Sequence, residues 1–161
     1  MNVIFTNVRS RIRTVHPFVL IISLLAIALV VYNFFTFYNL YKVDLAWKNF
    51  FGDQLYLMQY SMLPGSEMSA YRIEHAPQFD IIAMITQGFS LSGVVFVLFH
   101  RWLAGFLIYT LSTIAMILVP IFFVRIDILI QWENAVLIAG IPFVISIIFA
   151  FSRKKIRKKL C

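Results

Sequence analysis

The sequence predicts an all-α membrane protein: a four-transmembrane-helix bundle with one longer extracytoplasmic loop after helix 1. Three observations carry that prediction. Of 161 residues, 61% are hydrophobic and only 13% charged, with a mean hydropathy of +0.88. A soluble domain carries about a quarter charged residues, and no small globular core could hide this apolar excess. The apolar residues also gather into four runs separated by polar breaks, and basic residues concentrate at the two chain ends. The whole chain, residues 1–161, reads as a single membrane domain.

The first run extends from Pro17 to Tyr41, after Arg9, Arg11 and Arg13. His16-Pro17 marks its start, because proline is tolerated in a first helical turn. The run is longer than the ~7–15-residue apolar region of a signal peptide, so it reads as an uncleaved signal anchor and first membrane helix. From Lys42 to Phe79 the chain turns polar, and this stretch is expected to be the outer loop. Within it, Trp47, Phe50, Phe51, Leu55 and Met58 recur at helical spacing and predict an interfacial helix over 47–60. Pro64-Gly65 predicts a turn, and Ala76-Pro77 predicts a second break. Asp80 would then cap the next helix or sit in its first turn.

The second membrane helix is expected over 80–99, followed by a short connection at His100-Arg101. A third run covers 102–124, and Arg125-Ile126-Asp127 supplies a small polar break. The fourth covers 132–151 and ends in a basic cytoplasmic tail, 152–161. Each run is near the ~20 residues that a ~30 Å hydrocarbon layer requires.

Net charge is +7, but its distribution points to lipid rather than nucleic acid. Six of the fourteen basic residues (Arg153, Lys154, Lys155, Arg157, Lys158, Lys159) directly follow the last apolar run, where they would orient the chain and contact anionic head groups. With the N-terminus inside, ten of the fourteen lie on the cytoplasmic side, leaving only Lys42, Lys48, Arg72 and Arg125 outside. Four crossings return the C-terminus to the side where the chain began, so both ends are expected in the cytoplasm. Compact loops and the absence of Asn-X-Ser/Thr sequons suggest a bacterial cytoplasmic (inner) membrane. The one cysteine, Cys161, excludes an intrachain disulfide and any paired-cysteine redox centre.

Polar residues inside the runs are the features nearest to a functional site. The second run holds Thr86, Gln87, Gly88, Ser90, Ser92 and Gly93, and the third holds Thr110, Ser112, Thr113 and Ala115. Gly88 and Ser92 stand four apart, as do Phe89 and Gly93, and small residues at that spacing let helix backbones approach closely. Thr86, Gln87, Gly88, Ser90, Ser92, Ser112 and Thr113 therefore read as a helix-packing seam or, alternatively, a polar path. Pro120 and Pro142 each remove a backbone hydrogen bond within a run. No charged residue lies near the middle of a run, which counts against proton-coupled transport. Glu74, His75 and Asp80 match no metal-ligand spacing, so no metal or other cofactor is expected. Nor does the chain carry a nucleophile motif, phosphate loop or dinucleotide fingerprint. These observations predict a non-enzymatic accessory, assembly or regulatory subunit that contacts another membrane protein or itself. A small oligomeric channel or transporter is the alternative.

Overall fold

In a computed structural model, the structure describes residues 16–52, 66–99, 101–122 and 136–157. The chain is all-α. Helix α1 is Pro17–Phe51, α2 is Ser66–Leu98 and α3 is Trp102–Phe122. A π-helical turn, Val136–Gly140, leads directly into α4, Ile141–Arg157. Among the described residues, three helical segments are long and apolar enough to cross a membrane: Pro17–Phe51, Ile73–Leu98 and Trp102–Phe122. Val136–Ser152 is a shorter apolar helix. Three long apolar helices are the signature of an integral membrane protein.

Helix α1 starts where the sequence places it. His16 is the N-cap, its carbonyl accepting from Leu20 N–H at 3.1 Å and its Nδ1 accepting from Phe18 N–H at 3.2 Å. Its far end differs from expectation. The helix does not stop at Tyr41 but runs to Phe51, and α2 begins at Ser66 rather than at Asp80. Much of the expected 42–79 loop is therefore helix. The physical reason is that polarity ends a membrane crossing, whereas only a breaker ends a helix. Between Pro17 and Gly52 the sequence has neither glycine nor proline. Gly52 then stops the helix at a φ of +30°, its N–H bonded to Lys48 O at 2.9 Å. Trp47, Phe50 and Phe51 of the expected interfacial helix belong to this extension of α1, and 53–60 lie outside the described residues.

Pro77 likewise falls inside α2 instead of breaking the chain before it. A proline removes one backbone bond, and packing against a neighbour can hold the helix through such a gap. Here α1 is that neighbour: Phe37 meets Phe79 edge-to-face at 5.9 Å, and Lys48 Nζ donates to Glu74 O at 3.1 Å. At 1.5 Å per residue α1 and α2 are each roughly 50 Å long, well beyond a ~30 Å hydrocarbon layer. They project together as a helical hairpin. The expected Pro64-Gly65 turn lies outside the described residues, as does the Arg125-Ile126-Asp127 break. Helix α4 continues past Phe151 through Arg157, so the first part of the expected tail is helical.

Each helix turns one stripe inward. On α1 it is Val19, Ser23, Ala26, Val30, Asn33 and Phe37, alternating steps of four and three. The opposite side carries exposed Ile21, Leu24, Leu25 and Phe35, a surface suited to lipid. The buried residues form two apolar clusters. One joins Val19, Ala26 and Val30 to Val94, Val97, Tyr109, Ile145 and Phe149. The other joins Phe37 to Phe79, Ala83, Met116 and Ile138. The first half of α1 meets the second half of α2, so the two helices are antiparallel, and the same logic orders α3 and α4. Neighbour contacts run α1–α2, α2–α3, α3–α4 and α4–α1, giving an up-and-down arrangement.

Candidate functional site

Between the two apolar clusters, all four helical strands of the bundle pass through one shared layer, and three of them contribute polar groups. Helix α1 places Asn33 between Val30 and Phe37, and α2 places Gln87 and Ser90 between Ala83 and Val94. Helix α3 adds Thr113 between Tyr109 and Met116, and Pro142 occupies the corresponding level of α4. These residues line a cavity with about 10 Å³ of water-accessible space. Gln87 is only 3% exposed, and Asn33, Ser90 and Thr113 are likewise buried. Tyr109 also lines the cavity; its ring packs edge-to-face on Phe149 at 5.5 Å, and its buried hydroxyl has no hydrogen-bond partner among the described residues.

Of the residues singled out from the sequence, Gln87, Ser90 and Thr113 are brought together here. The hydroxyls of Thr86, Ser112 and Thr113 bond back to their own helices, to the carbonyls of Ile82, Ile108 and Tyr109, at 2.8, 2.8 and 2.9 Å. Each thereby satisfies its own proton within one turn, as serine and threonine commonly do in apolar helices. Gly88 and Ser92 face outward, and Ser92 Oγ donates to Gly88 O at 3.0 Å. A Cβ built on Gly88 would meet nothing within 4 Å, so this pair takes no part in packing inside the chain.

The close approach is made instead by Gly93 and Gly105. A Cβ on Gly93 would lie 2.7 Å from Tyr109 N and 2.9 Å from Gly105 O. One on Gly105 would lie 2.5 Å from Gly93 O and 2.6 Å from Val97 N. Backbone touches backbone here, which only glycine permits. Gly93 was visible in the sequence as part of a small-residue spacing. Gly105, on the facing helix, was not singled out, because its local sequence Leu103-Ala104-Gly105-Phe106 does not show what it faces.

Sequence reasoning also missed Asn33, whose Nδ2 donates to Leu137 O at 3.2 Å. In π-helical spacing the donor to that carbonyl would come from residue 142, and Pro142 has no N–H. Asn33 supplies the missing hydrogen bond from α1. At the other end of the bundle Trp102 ties α3 to α4, its Nε1–H donating to Phe149 O at 3.0 Å while its ring stacks on Phe106 at 5.2 Å.

Asp80 requires a correction. Because α2 begins at Ser66, Asp80 is neither a cap nor in the first turn; it lies inside the helix and is 0% exposed. The chain therefore does hold a buried ionisable side chain within a candidate membrane span, Ile73–Leu98. Glu74 is exposed, and His75 stacks on Tyr71 at 4.1 Å with its Nδ1 2.9 Å from Tyr71 O. Among the described residues no three His, Cys, Asp or Glu side chains cluster as a metal site would require. Of the basic residues expected at lipid head groups, Arg153, Lys154, Lys155 and Arg157 belong to the last turns of α4, and Lys158 and Lys159 lie outside the described residues. Comparison with protein-family models, with characterised proteins and with solved structures finds no match to this chain.

Proposed function

We propose that this protein is a non-enzymatic accessory, assembly or regulatory subunit of a membrane complex, acting through helix contacts and through the projecting α1–α2 hairpin. The observation that supports it is how tightly the layer around Gln87 closes. The polar layer around Gln87 leaves about 10 Å³ of water-accessible space, and nearby hydroxyls are turned back onto their own helices. A surface for a partner lies elsewhere, at the outer end of α1. There Phe50 is 75% exposed, beside Trp47, whose ring stacks on Phe51 at 5.5 Å. In this reading the chain crosses a bacterial inner membrane four times with both ends in the cytoplasm, its basic tail against anionic lipid. The excess of Lys and Arg at the chain ends supports that orientation.

Gentle extraction from the native membrane followed by native mass spectrometry tests the proposal. A second protein at fixed stoichiometry is the expected result, lost when Trp47 and Phe50 are both changed to serine. A chain that emerges alone, or only with copies of itself, sinks the subunit reading.

Buried Asp80 favours a second reading, an oligomeric channel or transporter using Gln87 and the polar faces of α2 and α3. Solute or proton flux in proteoliposomes that is abolished by Asp80→Asn or Gln87→Leu, in variants that fold normally, would select it. Flux unchanged by both variants would exclude it.

A further inference from the structure

The cavity between the two apolar clusters combines features that ordinary helix packing does not require. Tyr109 is 1% exposed, lines the cavity, and has a hydroxyl without a hydrogen-bond partner among the described residues. A proline leaves a backbone acceptor beside it. Pro120 of α3 leaves the carbonyl four residues before it, that of Met116, without its helical donor. Met116 lines the cavity. Gln87 adds an amide that can both donate and accept.

This set of partners selects its ligand. The group that fits must accept the Tyr109 proton and also donate to a backbone carbonyl. A monovalent cation would engage the oxygens but leave the Tyr109 proton unanswered, and an apolar ligand would answer nothing. The available space, about 10 Å³, corresponds to roughly one water molecule. We propose that the cavity is a binding site for a single ordered water, which bridges Tyr109 and Gln87 to the proline-freed carbonyl of Met116.

The sign of one substitution tests this. Tyr109→Phe keeps the ring on Phe149 and deletes only the hydroxyl. If a water holds that hydroxyl, the variant in mild detergent melts roughly 2–4 °C lower. If the hydroxyl is truly unpartnered, removing it raises the melting temperature, and that result overturns the proposal. Water-to-protein nuclear Overhauser effects on the Gln87 side-chain amide give a second readout. A long-lived water gives cross-peaks that weaken in Tyr109→Phe, and their absence in the folded wild-type protein counts against the site. A wild-type melting temperature that rises with sodium, at constant ionic strength against choline, would assign the cavity to a cation instead and equally refute the water.

Discussion

Replacing Gly93 by alanine adds one carbon at the tightest contact between α2 and α3. That carbon would stand 2.7 Å from Tyr109 N, against the 3.4 Å at which ordinary contact begins. The shortfall of about 0.7 Å falls on backbone atoms, which cannot rotate away, so the two helices must separate. Overpacking of this kind costs about 1–3 kcal/mol, and alanine returns about 0.5–1 kcal/mol through its better helix propensity. A net loss of about 1–2 kcal/mol follows, or a melting temperature lower by roughly 2–8 °C in a chain of this size. Gly88→Ala is the internal control. It lies on the same helix and receives the same propensity gain, but its Cβ meets nothing within 4 Å, so it should melt at or above the wild-type temperature. Because Gly93 and Gly105 share one contact, the double alanine variant should cost less than the two singles added together. Thermal unfolding in one fixed detergent, followed by circular dichroism, compares the four variants with the wild-type protein. Equal melting temperatures for Gly93→Ala and Gly88→Ala would refute the claim that this glycine contact sets the α2–α3 distance.

Three further outcomes follow from single interactions. Asn33→Leu removes the donor to Leu137 O and should cost about 1 kcal/mol, within the range of hydrogen bonds between membrane helices. The same change should cost less in a Pro142→Ala background, where a backbone N–H returns; a double-mutant cycle by thermal unfolding measures the difference. Trp102→Phe keeps an aromatic ring against Phe106 but loses the bond to Phe149 O, for about 1 kcal/mol, whereas Trp102→Ala should lose more. Changing the six basic residues of the tail to glutamine should produce a measurable fraction of inverted chains, read by a C-terminal topology reporter; a uniform orientation would show that the tail does not set it.

The apolar runs were legible in the sequence because lipid imposes a length and a polarity on every crossing. The start of α1 was legible too, since His16-Pro17 is a local capping signal. The projecting ends were not. Hydropathy marks where a helix leaves the hydrocarbon, but Lys42, Asp44, Lys48 and Asn49 are all compatible with helix, and α1 passes through them to Gly52. Packing seams were half legible. Gly93 announces a small surface, but which residue it meets depends on the register of α3, and that is fixed by contacts such as Tyr109 against Gly93. Gln87, Ser90 and Thr113 were visible as polar residues. Their meeting with Asn33 and Tyr109 was not, because those partners lie on other helices and each is unremarkable in its own run.

Asp80 joins the misplaced helix boundary to the functional question. A carboxylate in the first turn of a helix touches water and the positive end of the helix dipole, and its charge there costs little. The same carboxylate fifteen residues into α2, on a buried face between Ala76 and Ala83, stands where charge is expensive unless protein groups answer it. The fourteen residues from Ser66 to Phe79 that precede it therefore change its chemistry without changing its neighbours in sequence. Asp80→Asn separates the two settings. At a solvated helix start, asparagine caps as well as aspartate, and stability should hardly change. In the interior, exchanging the carboxyl group for an amide disturbs whatever protein groups answer it, and the unfolding temperature should move by several degrees. A variant that melts with the wild-type protein between pH 5 and pH 8 would return Asp80 to the membrane surface and shorten α2 with it.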